Sequence, residues 1–228
     1  MSQFSQLSLA VELDNQATLE NFFAPSGSTH QQALNLLVDQ TEQYVYLSGP
    51  SGVGLSHLLQ AICQQGELAV YLPLADIRHY PAEDIFEGLE SVSLLCLDDF
   101  HLVADQPDWQ QPLFNLFNRC HETATRLVVA AQRAPDQLGV LLPDLLSRLK
   151  SGIVLQLNSF DDEDLQHLLQ YRARRRGLEL SEDVATFMLS RLPRQTQQLM
   201  HSLEMLDKAS LQEQRRLTVP FIKDVLAL

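Results

Sequence analysis

Residues 49–57 read Gly49-Pro50-Ser51-Gly52-Val53-Gly54-Leu55-Ser56-His57. A short apolar run, 44–47, precedes them and a helical pattern, 56–65, follows, so the glycines stand in a strand-to-helix turn. The phosphate-loop pattern asks for that setting and for GxxxxGK followed by Ser or Thr. Gly49, Gly54 and Ser56 match it, whereas Leu55 occupies the lysine position. Glycines let successive backbone N–H groups turn inward onto phosphate oxygens, and a helix N-terminus adds partial positive charge. All nine residues are therefore candidate nucleotide contacts, with the Ser56 hydroxyl offered to Mg²⁺. The lysine would supply charge at the β- and γ-phosphates, where charge builds in phosphoryl transfer. Leucine supplies none, so a diphosphate is still accommodated while γ-phosphate discrimination and intrinsic hydrolysis suffer. The plainer reading is a glycine-rich turn with no ligand.

A second motif bears on that choice. Residues 92–99, Val-Ser-Leu-Leu-Cys-Leu-Asp-Asp, form an apolar strand ending in two carboxylates. This is the form of a Walker B segment, with Asp98 near Mg²⁺ and Asp99 able to orient a water. The alternative is that both carboxylates only cap the next turn. The two motifs in this order favour nucleotide binding.

Around them the chain alternates. Val- and Leu-rich runs at 44–47, 68–72, 94–97, 127–131 and 153–157 read as five buried parallel strands, separated by helical stretches at 30–43, 56–65 and 109–123. Pro112 is expected in the first turn of the last of these. After residue 158 only helical patterns remain, at 161–176, 181–191, 194–212 and 218–228. The expected architecture is α/β with a five-stranded parallel sheet (16–160), a small all-α domain (161–228) and a polar tail (1–15).

Composition narrows the function classes. Of 228 residues, 16 are Lys or Arg and 29 Asp or Glu, a net charge of −13. Phosphate-backbone binding needs a cationic face, so direct, non-specific nucleic-acid binding is disfavoured. Three cysteines without a CxxC pair, and histidines without an HExxH, fit neither a disulfide framework nor a zinc site. No signal peptide or membrane-length apolar run is visible, so the chain reads as a soluble, cytoplasmic protein with no membrane partner. The basic run 172–176 suits a helix C-terminus.

With these motifs in place, the sequence resembles the AAA+ family and, within it, the bacterial replication initiator DnaA, from about Ala17 onward. Leu19-Glu20-Asn21-Phe22 is similar to the motif preceding the DnaA nucleotide site, 49–54 to its phosphate loop, Ser56-His57-Leu58-Leu59 to the helix after it, and Asp98-Asp99 to its Walker B pair. The resemblance implies an AAA+ P-loop core with a helical lid. It places Gln132 at the sensor 1 position, Arg148 (within Leu145-Leu146-Ser147-Arg148-Leu149) as an arginine finger acting in trans, and Arg194 at sensor 2. Gln6-Leu7-Ser8-Leu9 is similar to the QLxL peptide that docks on the β-subunit sliding clamp of DNA polymerase, although Ala10 stands where a larger apolar residue is common. The resemblance implies no counterpart of the initiator's DNA-reading domain after the lid. The implied activity is that of a DnaA-related negative regulator of replication initiation. It would hold ADP or another nucleotide with Mg²⁺, bind the clamp, and make the initiator hydrolyse its ATP, with DNA met only through the clamp and self-association possible. The alternatives are a self-contained helicase-loader ATPase, a clamp-loader subunit and a nucleotide-free scaffold. Without the resemblance, Arg148 reads as a surface ion-pair residue.

Overall fold

The computed structural model describes residues 13–228. In chain order the elements are α1 (Thr29–Asp39), β1 (Tyr44–Ser48), α2 (Leu55–Cys63), β2 (Ala69–Pro73), the short α3 (Leu74–Ile77) and α4 (Ala82–Ile85), β3 (Leu94–Asp98), α5 (Pro107–Glu122), β4 (Arg126–Ala131), α6 (Pro143–Leu149) and β5 (Ile153–Gln156). Four further helices follow: α7 (Asp162–Arg175), α8 (Glu182–Arg191), α9 (Thr196–Glu213) and α10 (Val219–Leu226). The chain divides into two compact units. One is Gly27–Leu157 with residues 13–22, and the other is Asn158–Leu228 with Phe23–Ser26.

The first unit is built on one parallel sheet in the order β2-β3-β4-β1-β5. Alternation along β3 sends Leu95 and Leu97 to one face, where Trp109, Leu113, Leu116 and Phe117 of α5 meet them. Cys96 points to the other face, which α2 covers with Leu58, Leu59 and Ile62. Burial on both faces is why these strands are continuous apolar runs. All three cysteines are buried and free, and they pack as small apolar residues.

Three sequence expectations are corrected. The strands at the two edges are not buried as expected: β5 pairs with β1 and leaves Ile153 and Val154 40% and 42% exposed, and β2 is half-buried over Ala69–Tyr71, with Leu68 64% exposed before it. Pro112 is not in the first turn, because Pro107 takes the first helical position of α5 and Pro112 lies inside the helix. A proline at the first position loses only an N–H that had no intrahelical partner. Helix α1 ends at Asp39, and Gln40 turns left-handed at φ 52°. The Arg126 side chain, from β4, takes the carbonyls of Leu36 (3.2 Å), Leu37 (2.9 Å) and Glu42 (3.0 Å) and so caps that end.

In the second unit, α7 to α10 bury Leu168, Leu169, Leu199, Leu203, Leu206 and Phe221 around a separate core. Asp161 and Asp164 form a capping box at the start of α7, and Arg172, Arg174 and Arg175 fill its last turn, so charge matches the helix dipole at both ends.

Candidate functional site

The turn between β1 and α2 gathers the first half of the site. Gly52 and Gly54 adopt φ 86° and 94°, a left-handed conformation that costs other residues about 1–2 kcal/mol. The turn is tied down at its root, where Gly49 N–H donates to the Ala131 carbonyl at 3.2 Å and Leu157 N–H to the Ser48 carbonyl at 2.7 Å. Above that root, the N–H groups of Ser51 to Ser56 donate to no protein acceptor among the described residues. Helix α2 starts on Gly54 without any side-chain cap. The Ser48 hydroxyl is buried and has no hydrogen-bond partner among the described residues. An array of open backbone donors at an uncapped helix start fits a phosphate-bearing ligand.

The lysine position is filled by carbon. Leu55 is the first residue of α2 and is 9% exposed, so it contributes packing and no charge. Ser56 is exposed beside it. His57, next in the helix, sets its Nε2 at 2.8 Å from the Thr18 carbonyl. Phe22 lies against the loop: its ring centroid is 5.6 Å from that of His57, and a Cβ on Gly54 would come within 3.0 Å of its edge.

The carboxylates come from β3, with β4 between it and β1, so the C-terminal ends of three neighbouring strands form one edge. In open parallel sheets, ligands bind at that edge. Asp98 is buried, and both of its oxygens are engaged: Oδ2 accepts from the Tyr71 hydroxyl at 2.7 Å and Oδ1 from Asp99 N–H at 2.8 Å. Burial and the Asp98 charge hold the Tyr71 phenol well above its usual range, so it remains a donor. Asp99 takes a left-handed φ of 53°. Partial burial, then the neighbouring Asp98, raises its carboxyl above the ordinary range, against a smaller opposing pull from His101. Burial also lowers the His101 imidazole. Its Nδ1 receives Gln132 N–H at 3.4 Å, which holds the exposed Gln132 at the end of β4. Each Asp98 oxygen keeps a further lone pair, so Ser56 and Asp98 are a chemically suitable donor set for the Mg²⁺ that accompanies a nucleotide. Among the described residues no cluster of three His, Cys, Asp or Glu side chains forms a separate metal site.

Arg148 is half-buried on α6, which packs on α5, and its guanidinium has no hydrogen bond or ion pair among the described residues. Arg194 was expected inside a helix but precedes α9, and its guanidinium pairs with the exposed Asp162 at 2.8 Å. Gln6, Leu7 and Leu9 fall outside the described residues. Sequence reasoning missed Tyr71 and Gln60, because only the strand register brings Tyr71 beside Asp98. Tyr71 pairs with Cys96, two residues before Asp98, which puts both side chains on one face of the sheet.

Comparison with known proteins completes the description. Residues 161–226 match the family model described as "Hda, lid domain", and residues 73–156 match "Bacterial DnaA ATPAse domain". Domain III of the Thermotoga maritima replication initiation protein DnaA superposes with a TM-score of 0.77 at 22% identity, covering 95% of this chain and 98% of that one. AMPPCP-bound DnaA from Aquifex aeolicus gives 0.71 at 23%, covering 87% and 67%. The Thermotoga maritima RuvB Holliday junction branch migration motor gives 0.61 at 15%, covering 92% and 71%. At these identities the structural likeness establishes the AAA+ fold. Among the described residues no helix is long and apolar enough to cross a membrane.

Proposed function

Since the chain is a DnaA-related AAA+ protein with an Hda-like lid, we propose that it regulates a replication initiator of the DnaA type and does not work as an efficient ATPase on its own. It holds a nucleotide, ADP by preference, in the 49–57 loop, with Mg²⁺ shared by Ser56 and Asp98. Solved DnaA structures bound to AMPPCP support a nucleotide in this fold. The observation that carries the reading is Leu55: a cradle with open backbone donors at the head of α2, and a carbon side chain where the phosphate charge would be met. The cradle binds; the chemistry needs a charge from elsewhere.

Mg²⁺, when bound, neutralises phosphate charge and orients the diphosphate. The chain's own groups do the rest. Backbone N–H groups of 51–56 grip phosphate oxygens, Tyr71 fixes Asp98, and Asp99 and Gln132 direct the water. Arg148 acts in trans: its guanidinium enters the initiator's site and stabilises charge on the transferring phosphoryl group, an effect of about 10³–10⁵ in rate for arginine fingers. Its lack of any partner among the described residues supports that role. Gln6, Leu7 and Leu9 tether the protein to the sliding clamp, which brings it to DNA. Two leucines for pockets and an amide for hydrogen bonding suit such docking.

The test is hydrolysis of initiator-bound ATP in the presence of DNA-loaded clamp, comparing the unmodified protein with Arg148→Ala and with a Gln6/Leu7/Leu9 triple alanine variant. Clamp-dependent acceleration that both variants lose is the expected result. No acceleration by the unmodified protein, with clamp binding verified, sinks the proposal, and fast steady-state hydrolysis by the protein alone would favour a helicase-loader type of ATPase.

A further inference from the structure

Helix α2 and its C-cap residue carry a stripe of polar side chains at positions 57, 60 and 64, a spacing that places them on one face. All three hold the same incoming segment. His57 Nε2 meets the Thr18 carbonyl at 2.8 Å, Gln60 Oε1 accepts from Asp14 N–H at 2.8 Å, and Gln64 Nε2 donates to the Asp14 carbonyl at 2.9 Å. Residues 14–18 are thereby strapped along the helix that the phosphate loop feeds.

The strap does not end at the helix. Gln60 gives its carbonyl to Asp14, which leaves its amide nitrogen to donate, and that nitrogen lies 3.5 Å from the Tyr71 oxygen. Tyr71 passes the donor role on to Asp98 Oδ2 at 2.7 Å. Every link therefore points the same way: Asp14 N–H to Gln60, Gln60 to Tyr71, Tyr71 to Asp98. Such a chain is polarised by the carboxylate at its end, and its members strengthen one another. Asp98 is buried and its other oxygen is fixed by Asp99 N–H, so the Tyr71 hydroxyl is the side-chain group that sets the rotation of this carboxylate.

We propose that Gln60 and Tyr71 are positioning residues that orient Asp98 for Mg²⁺–nucleotide and couple its occupancy to the seating of residues 14–18 on α2. The inference rests on the reading of the 49–57 loop as a nucleotide site, and it adds a regulation to that site. Linkage is reciprocal. A force that lifts the strap, such as a partner engaging the residues before it, loosens the nucleotide, and nucleotide binding in turn tightens the strap.

Nucleotide affinity and amide exchange test this in the full-length protein. ADP binding is titrated with and without Mg²⁺ for the unmodified chain, Tyr71→Phe and Gln60→Leu, and exchange at Asp14 N–H is followed by NMR in each. With Mg²⁺, Tyr71→Phe is expected to weaken ADP binding about ten-fold, the scale of a lost outer-shell partner of a metal ligand. Without Mg²⁺ it should match the unmodified protein, a split that simple loss of packing would not produce. Asp14 exchange should quicken about five-fold in Tyr71→Phe, as a coupling of this size implies. Equal ADP affinity of the two proteins in Mg²⁺, or equal losses with and without it, would overturn the positioning role. Unchanged Asp14 exchange would overturn the coupling. If the unmodified chain bound no ADP, the nucleotide reading and the role of Asp98 would fall together, whereas failure of the Tyr71 arm alone leaves that reading standing.

Discussion

His57 Nε2 lies 2.8 Å from the carbonyl of Thr18, reaching it from the residue that directly follows Ser56 in α2. One helical turn thus carries both a candidate Mg²⁺ contact and the anchor for the segment that enters the domain. Replacing His57 by alanine removes that hydrogen bond and its contact with the Phe22 ring. The expected cost is about 1 kcal/mol in urea unfolding, the net worth of one such bond. An unchanged midpoint would show that the strap carries no stability.

Gly54 tests the loop itself. Alanine there would hold a φ of +94° and bring its Cβ within 3.0 Å of Phe22. The conformation alone costs about 1–2 kcal/mol. Gly54→Ala should melt earlier and lose most of its ADP affinity in a calorimetric titration. Retention of full affinity would mean that the turn does not need its left-handed residue.

Leu55→Lys restores the charge that the pattern lacks. Leu55 is 9% exposed, so a lysine keeps its stem packed and extends its amine outward. ATP binding should strengthen on the order of ten-fold relative to ADP, consistent with the 1.5–3 kcal/mol of a hydrogen bond to a charged group. Identical nucleotide preference in both proteins would remove Leu55 from the explanation.

Asp99 should show itself in the pH dependence of stability. Its folded-state carboxyl is raised, first by burial and then by Asp98, so the folded protein holds this proton more tightly than the unfolded chain. Stability therefore falls as pH rises from the ordinary carboxylate range through the raised value, and the penalty is complete above it. Asp99→Asn removes the charge and also suits the left-handed φ of 53°. The variant, compared without nucleotide or Mg²⁺, should melt higher at neutral pH, and its advantage should shrink as pH falls to about 4, the ordinary carboxylate range. An advantage independent of pH would assign the whole effect to backbone preference.

Much of the architecture was legible in the chain. Strands buried on both faces must be short, unbroken apolar runs, and β1, β3 and β4 carry that signature plainly, with the phosphate-loop glycines following β1 and the paired carboxylates closing β3. These are local demands, met residue by residue, so sequence determined the elements, the α/β-then-α order and the loop with its missing lysine.

Tertiary structure decided what depends on partners distant in the chain. That β5 would be a half-exposed edge strand follows from the sheet order, which no run of apolar residues specifies. The end of α1 is set by Arg126, which reaches its last carbonyls from a strand about 90 residues later and so stops a helix whose own pattern runs on. Tyr71 meets Asp98 only because β2 and β3 pair in one register, and a shift of one residue would send the two side chains to opposite faces. Periodicity and turn chemistry are written in neighbouring residues; hydrogen bonds between distant ones exist only after the sheet has chosen its order and register.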